Sequence, residues 1–208
     1  MKNRLAAVLL AFAVLAFVAP VAQAAAPPSE QTAVLAGGCF WGMEAVFENL
    51  RGVKRAVAGY AGGSKESAHY EIVSSGTTGH AESVQITYDP SVISYRELLN
   101  VYFTVAHDPT ELNRQGPDEG TQYRSAIFYS SDEQKQVAQT YIRELTQQKK
   151  FRNPIVTQVV PLHAFYAAED YHQHFVQHNP YNPYVATFDL PKLAELRSKF
   201  PQLVVSAR

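Results

Sequence analysis

The chain has 208 residues, of which 46% are hydrophobic, with 18 basic and 19 acidic side chains. This length and composition are typical of one globular domain with a full hydrophobic core, and they exclude an intrinsically disordered chain. A net charge of -1 without a basic block argues against a nucleic acid as partner, because phosphate binding needs clustered Lys and Arg.

The N-terminal segment has the features of a secretory signal peptide. After a basic start, an apolar run from Leu5 to Val18 is followed by the small-residue pattern Ala22-Gln23-Ala24. An uncleaved membrane anchor is the alternative, but the run is shorter than the roughly 20 residues of a membrane span. We therefore predict a cleaved signal peptide at 1–24, a mature domain at 25–208, and export to the periplasm or out of the cell.

Hydrophobic periodicity along the mature domain predicts short strands and helices in alternation. Two of the helices begin with a capping box, Ser94 with Glu97 and the sequence SDEQ at 131–134. In chain order we predict a strand at 32–36, a helix from near Gly42 toward Gly52, strands at 53–58 and 84–88, a helix from Tyr95 to Tyr102, a strand at 124–129, a helix to about Lys150, a strand at 155–160, a His- and Tyr-rich helix and a Pro-containing tail.

The order β-α-β-β-α-β, followed by a further α and β, is typical of the split βαβ arrangement. It predicts an α+β fold, a two-layer sandwich with a ferredoxin-like core. Two long loops, 59–82 and 106–122, interrupt this pattern, and loops of that length in a compact domain are usually functional. The chain shows neither an internal repeat nor a second domain.

Cys39 is the single cysteine of the chain, and it lies at the predicted start of the first helix. A lone cysteine can be a small buried hydrophobe, but exported proteins usually pair their cysteines as disulfides. Free N–H groups at a helix N-terminus favour a thiolate, so we expect a pKa of Cys39 lowered toward neutrality. We therefore interpret Cys39 as a reactive thiol.

The neighbours of Cys39 are unusual for a helix start. Gly37 and Gly38 would let another molecule approach the sulfur closely. Phe40 and Trp41 would form an apolar wall for a small substrate group, although two core aromatics are the alternative. The stretch as a whole predicts a small pocket around the thiol.

Three further polar residues could take part in chemistry. Glu82 has the strand parity of Val84, so its carboxyl group is expected on the apolar face, unless the strand begins after it. Burial there would raise its pKa and allow proton donation near neutrality. A polar loop with Asp118 leads to Tyr123 at the start of a strand, where a phenol can donate a hydrogen bond to a substrate oxygen.

Two other chemistries are alternatives to this interpretation. His174 and His178 are four residues apart, a spacing that metal sites use, but no third ligand follows at a recognised spacing and His172 lies on another face. We therefore predict no metal site. A cysteine hydrolase or acyltransferase would need a histidine base beside Cys39, and no histidine accompanies its motif.

Several motifs together resemble the A type of peptide methionine sulfoxide reductase. The similarity runs from about residue 33 to Tyr181, and its most specific part is GCFWG followed by GHAE and GTQYRSAI. The other matching stretches are GYAGG, YEIVSSGTTG, HDPT, AEDYHQHF and NPY.

This resemblance implies a function and assigns residues to it. The activity would be thiol-dependent reduction of methionine S-sulfoxide, free or in proteins, through a cysteine sulfenic acid and without a bound cofactor, which is a repair of oxidative damage. The residues implied are Cys39 as nucleophile, Glu82 as proton donor, Phe40 and Trp41 as the wall around the S-methyl group, Tyr70, Asp118 and Tyr123 as further pocket residues, and His172 near the pocket.

The chain departs from the family in its resolving cysteines. Many members carry one before GHAE, where this chain has Ser74, or in the C-terminal tail, which here has none. The resemblance therefore implies an external thiol reductant, whether thioredoxin-like, glutaredoxin-like or a small thiol. The expected partners are oxidised proteins or peptides, and we expect a monomer. A binder of oxidised methionine that has lost turnover is the remaining alternative.

Overall fold

A computed structural model describes residues 30–205, so the predicted signal peptide lies outside the described residues. The strands are β1 (Gln31–Ala36), β2 (Val53–Ala61), β3 (Ala81–Tyr88), β4 (Arg114–Gln115), β5 (Asp118–Glu119), β6 (Ala126–Tyr129), β7 (Gln158–Pro161) and β8 (Phe165–Ala167). The helices are α1 (Phe40–Glu48), α2 (Tyr70–Val73), α3 (Tyr95–Val101), α4 (Asp132–Gln147), α5 (Phe175–His178) and α6 (Leu190–Lys199).

Six strands form one sheet in the order β7-β6-β1-β3-β2-β8. Within it, the pairs β6-β1, β1-β3 and β3-β2 are antiparallel, and the order β6-β1-β3-β2 is that of the split βαβ arrangement. The predicted α+β sandwich with a ferredoxin-like core is therefore confirmed. The sheet is extended at its edges by β7, parallel to β6, and by β8, antiparallel to β2.

The register of β1 and β3 places the predicted catalytic residues at one end of these two central strands. Leu35 is opposite Val84, so the chain leaves β1 toward Cys39 beside the point where Glu82 enters β3. On the other side, Tyr60 of β2 is opposite Glu82. Antiparallel pairing thus brings Cys39 close to Glu82, although the two residues are far apart in sequence.

The first helix packs on the sheet through the apolar face that its spacing predicts. Met43, Val46, Phe47 and Leu50 are all buried, as are Val84, Ile86 and Tyr88 of β3. A capping box at Ser94 and Glu97 begins α3 as expected. The core therefore lies between the sheet and the helices that the hydrophobic pattern predicted.

Several boundaries differ from the predictions. Helix α1 starts at Phe40, and β7 starts at Gln158 because the preceding chain crosses to Pro109, whose carbonyl accepts the N–H of Val156. The second capping box is only half formed. Ser131 caps α4, while the Gln134 amide turns to Ser130 and to the carbonyl of Thr32.

The C-terminal part differs most from the prediction. The expected His- and Tyr-rich helix is wrong: 162–178 instead forms β8, a 3-10 turn at Asp170–His172 and the four-residue α5. The tail, in turn, contains α6, preceded by a π-helical turn at Val185–Asp189. Within residues 30–205, no helix has both the length and the apolarity that crossing a membrane requires.

Candidate active site

Cys39 is the N-cap residue of α1 and is 9% exposed. The two glycines before it serve the fold, because a Cβ on Gly37 would lie 2.7 Å from the ring of His107 and one on Gly38 2.5 Å from Cγ of Gln115. Gly38 also has a φ of 91°, a region that favours glycine. The expectation that the glycines leave room for a ligand is therefore corrected: the protein's own side chains fill that room.

Glu82 points inward, as its strand parity predicts, and is 2% exposed. Its carboxyl group accepts the backbone N–H of Phe40, the first residue of α1, over 3.1 Å. Burial is the main cause that raises the pKa of Glu82 to about 8, against the lowering effect of that N–H. The carboxyl group is thus mostly protonated at neutral pH and can donate a proton beside the residue that follows Cys39.

The thiol of Cys39 behaves differently from the sequence-based expectation. Burial first, and then the charge of Glu82, hold the pKa of Cys39 well above its usual value. The N–H of Trp41 lowers this pKa, as a helix N-terminus should, but the effect is smaller than that of desolvation. The prediction of a lowered pKa is therefore wrong, and the site holds a neutral thiol beside a largely neutral acid.

Trp41 supplies the open part of the aromatic wall. Its ring stacks on Phe175, with centroids 3.7 Å apart, and meets the edge of Tyr184 at 5.8 Å. Phe40 is 1% exposed and packs against the rings of Tyr60 and His172. Of the predicted pair, Trp41 is therefore the one that offers surface to a ligand, while Phe40 lies behind it.

Two phenols approach the thiol and the carboxyl group from different loops. Tyr70 begins α2, and Tyr123 ends a 3-10 turn before β6; both are partly buried. Burial raises the pKa of each phenol, and Glu82 and Cys39 are among the charges that raise it further. Both hydroxyls are therefore protonated donors within the electrostatic field of Cys39 and Glu82.

His172 holds the tryptophan in place. Its Nδ1 accepts the indole N–H of Trp41 over 3.0 Å, and its ring lies 4.4 Å from that of Tyr70, centroid to centroid. Burial lowers the pKa of His172, which favours the neutral ring with a free lone pair on Nδ1. His172 is thus a positioning residue, which contacts both Trp41 and Tyr70 at the wall of the pocket.

Asp118 has a partner that the sequence did not predict. It lies on the β4-β5 hairpin and accepts the hydroxyl of Tyr184, not of Tyr123. Burial and then the charge of Cys39 raise the pKa of Tyr184, so this phenol also belongs to the site. The sequence contains Asn-Pro-Tyr twice, and the motif match ended at Tyr181, three residues too early to include Tyr184.

Asp189 is the second residue that sequence reasoning missed. It is 0% exposed, and within residues 30–205 neither carboxylate oxygen has a hydrogen-bond partner; Lys192 Nζ lies 3.5 Å away. A Cβ on Gly42 would clash with it at 2.1 Å, so Asp189 packs against the first turn of α1. Burial raises its pKa to about 6.

Ser74 follows α2 and is exposed, with its hydroxyl bonded to the carbonyl of Tyr70. Since Cys39 is the single cysteine of the sequence, the protein cannot form an internal disulfide.

Comparison with known proteins finds relatives over most of the chain. A family model described as peptide methionine sulfoxide reductase matches residues 31–203. A protein of Mesorhizobium japonicum called peptide methionine sulfoxide reductase MsrA 2 is 56% identical over 178 residues, which is 86% of this chain and 91% of that protein.

Solved structures are similar as well. The crystal structure of Mxr1 from Saccharomyces cerevisiae in reduced form has a TM-score of 0.70 at 38% identity and covers 76% of this chain and 90% of that chain. Mxr1 in complex with Trx2 has a TM-score of 0.51 at 29% identity, over 72% and 87% of the two chains.

Proposed function

The chain belongs to the peptide methionine sulfoxide reductase family and is a peptide-methionine (S)-S-oxide reductase, and we propose that Cys39 is its nucleophile and Glu82 its proton donor. The observation that carries this assignment is the buried, protonated carboxyl group of Glu82 on the first N–H of the helix that Cys39 caps. Its substrates are methionine sulfoxides, free or in oxidised proteins and peptides.

The proposed binding mode follows from the polarity of the sulfoxide. Its S-methyl group lies against the ring of Trp41, and its oxygen points to Glu82 and to the hydroxyls of Tyr70 and Tyr123. The positive sulfur end of the S–O dipole then faces the thiol. Burial makes the ionisation of Cys39 costly, and the bound dipole lowers this cost.

The proposed reaction transfers one oxygen atom and two electrons. The sulfur of Cys39 attacks the sulfoxide sulfur, Glu82 protonates the oxygen, and the S–O bond breaks as the oxygen passes to Cys39. The thiol proton replaces the one that Glu82 has lost. Methionine leaves, Cys39 is a sulfenic acid, and Glu82 ends the step protonated as it began.

We propose that an external thiol completes the cycle. A first thiol attacks the sulfenic sulfur, water leaves and a mixed disulfide forms; a second thiol then releases Cys39. The absence of a second cysteine from the sequence supports this route. The complex of the relative Mxr1 with Trx2 supports a thioredoxin-like protein as one such reductant.

A single-turnover experiment tests the chemistry. One equivalent of sulfoxide, added without reductant, should yield one methionine and a Cys39 that dimedone labels, with the protein monomeric on a non-reducing gel. Dithiothreitol should restore turnover. A Cys39-to-Cys39 disulfide as the main product would contradict the scheme, because a second copy of the chain would then be the resolving partner.

We also propose that the protein is exported and monomeric. The signal-peptide pattern of residues 1–24 supports export to the periplasm or the exterior. N-terminal sequencing of the exported protein should begin at Ala25, and an intact N-terminus in a membrane fraction would instead indicate an anchor. Size-exclusion chromatography with light scattering should give the mass of one mature chain.

The two alternative functions are not favoured by the relatives. A hydrolase would use a histidine base, but His172, which belongs to the site, has its Nδ1 engaged by Trp41. A binder without turnover would saturate with sulfoxide and release no methionine. An assay with dithiothreitol distinguishes all three, because only the reductase forms methionine repeatedly.

A further inference from the structure

Three potential metal ligands meet near the C-terminal half of α1. Glu44 and Glu48 lie one turn apart on this helix, and His174 reaches them from the segment before α5. One ligand atom from each residue lies within 4.8 Å of the other two. We propose that Glu44, Glu48 and His174 bind a divalent transition-metal ion, with Zn²⁺ as the best match.

Glu44 indicates that the cluster is more than a pair of surface acids. Its side chain is 1% exposed, and its Oε2 accepts the backbone N–H of His174 over 2.8 Å. Its Oε1 is buried and, among residues 30–205, lacks a hydrogen-bond partner. A buried carboxylate oxygen without a partner is costly, and a bound cation would remove that cost.

The charges of the cluster fit a dication. Two carboxylates one helical turn apart repel each other, and Nδ1 of His174 contacts Glu48. A divalent ion with two carboxylates and a neutral imidazole has no net charge, so it would stabilise an arrangement that is otherwise repulsive.

The types of ligand atom indicate which metal ion the site would prefer. An imidazole nitrogen with carboxylate oxygens suits Zn²⁺ and its first-row neighbours, whereas Mg²⁺ and Ca²⁺ prefer oxygen alone. Zn²⁺ binds such ligands at about 2.0 to 2.2 Å, so the contact between His174 Nδ1 and Glu48 would have to open to admit the ion. Glu48 and His174 line a cavity of about 620 Å³, which provides access for the ion and room for a water as fourth ligand.

The sequence spacing alone does not predict this site. His174 and His178 lack a third ligand nearby in the chain, and the missing carboxylates come from a helix 126 and 130 residues away. His174 has a φ of 53°, a rare conformation for a non-glycine residue, which turns the chain toward α1. A bound ion would fasten this segment, and with it Phe175 under Trp41, to α1.

Titration of the full mature chain with Zn²⁺ tests the proposal, in a Cys39→Ser background so that the thiol cannot serve as ligand. Calorimetry should give one equivalent per chain, and Zn²⁺ should raise the melting temperature. Glu48→Gln and His174→Ala change partly exposed groups and should fold; each should weaken binding by about 100-fold or more, since even the loss of an outer-shell partner costs 10-fold to 100-fold.

Matched controls are His163→Ala, an exposed histidine, and Glu195→Gln, a partly exposed helical carboxylate paired with Lys199. Both should bind Zn²⁺ as the parent does. Co²⁺ should give the visible bands of a nitrogen and oxygen site, and these should be lost in Glu48→Gln. Failure to bind one equivalent in the Cys39→Ser background, or equal affinity in the Glu48 and His174 variants, would overturn the site.

Discussion

The sheet-based region, residues 30–129, and the irregular C-terminal region, residues 162–205, contribute to the site in different ways. The first supplies the proposed reacting pair, with Cys39 at the N-terminus of α1 and Glu82 on β3. The second supplies His172, which holds Trp41, and Tyr184, which holds Asp118. Chemistry and positioning are thus separated between a regular and an irregular part of the chain.

This difference indicates how substitutions in each region should affect the protein. The reacting groups need a fixed distance and a dry environment, which the end of a central strand and a helix N-terminus provide. The side chains that line the pocket need only be kept in position, and hydrogen bonds from residues on short turns, such as His172 and Tyr184, are sufficient for this. Substitutions in the first region should therefore affect the chemical step, and those in the second should affect binding and stability.

The largest effect is expected for Cys39→Ser. A hydroxyl is nearly isosteric with the thiol but is a far poorer nucleophile at neutral pH, so methionine formation from the (S)-sulfoxide should fall by about a thousandfold or more. The melting temperature should stay close to that of the parent. Activity above about a tenth of the parent would show that another group attacks the sulfoxide.

Glu82→Gln should follow in magnitude. The amide keeps the shape of the side chain and can remain near the N–H of Phe40, but it cannot release a proton. The chemical step, measured by rapid quench in a single turnover, should slow by about two to four orders of magnitude. A rate within a few-fold of the parent would place the proton donor elsewhere.

The pH profile sharpens the same test. Glu82 donates only while protonated, and its folded-state pKa is about 8, so kcat/KM of the parent should fall as the pH rises through about 8. This alkaline decrease should be missing from the profile of Glu82→Gln. If Glu82→Gln kept the alkaline decrease, a group other than Glu82 would have to cause it.

A smaller effect is expected from the C-terminal region with Tyr184→Phe. The change removes the hydroxyl that Asp118 accepts and leaves the ring against Trp41. We expect KM to rise by about tenfold, the equivalent of one hydrogen bond, while kcat changes little. Tyr181→Phe is the matched control, because Tyr181 is 94% exposed and should behave as the parent. A loss confined to kcat would instead place Tyr184 in the chemical step.

The smallest effect on activity is expected for Asp189→Asn, which tests stability. The folded-state pKa of Asp189 is about 6, above its unfolded value, so the parent loses stability as the pH rises from about 4 through about 6. The variant lacks this loss and should gain about 1 to 3 kcal/mol over the parent between pH 4 and pH 8, at about 1.4 kcal/mol per pKa unit.

Urea unfolding at the two pH values measures this difference. Asp170→Asn, at an exposed position, is the control and should follow the parent. Activity of Asp189→Asn should stay within a few-fold, and a larger loss would assign this residue a role in catalysis and reduce the contrast between the two regions.

The thiol illustrates where sequence reasoning reached its limit. A helix N-terminus is visible in the sequence, and its lowering effect on the pKa of Cys39 is present through the N–H of Trp41. The degree of burial is not visible there, and it dominates. The predicted rise in the pKa of Glu82 is confirmed, with burial as its main cause. This burial could be predicted because strand parity indicates which side chains face the core.

The sequence by itself determined the ferredoxin-like order of the sheet, the apolar face of α1 and the inward direction of Glu82, because these depend on local periodicity and on pairing rules. Only the tertiary structure decided that Tyr184 holds Asp118, that His172 holds Trp41, and that Asp189 packs on α1. Those contacts join distant segments through single side chains on irregular turns. The course of such turns depends on the packing of the whole chain, which local sequence patterns do not encode.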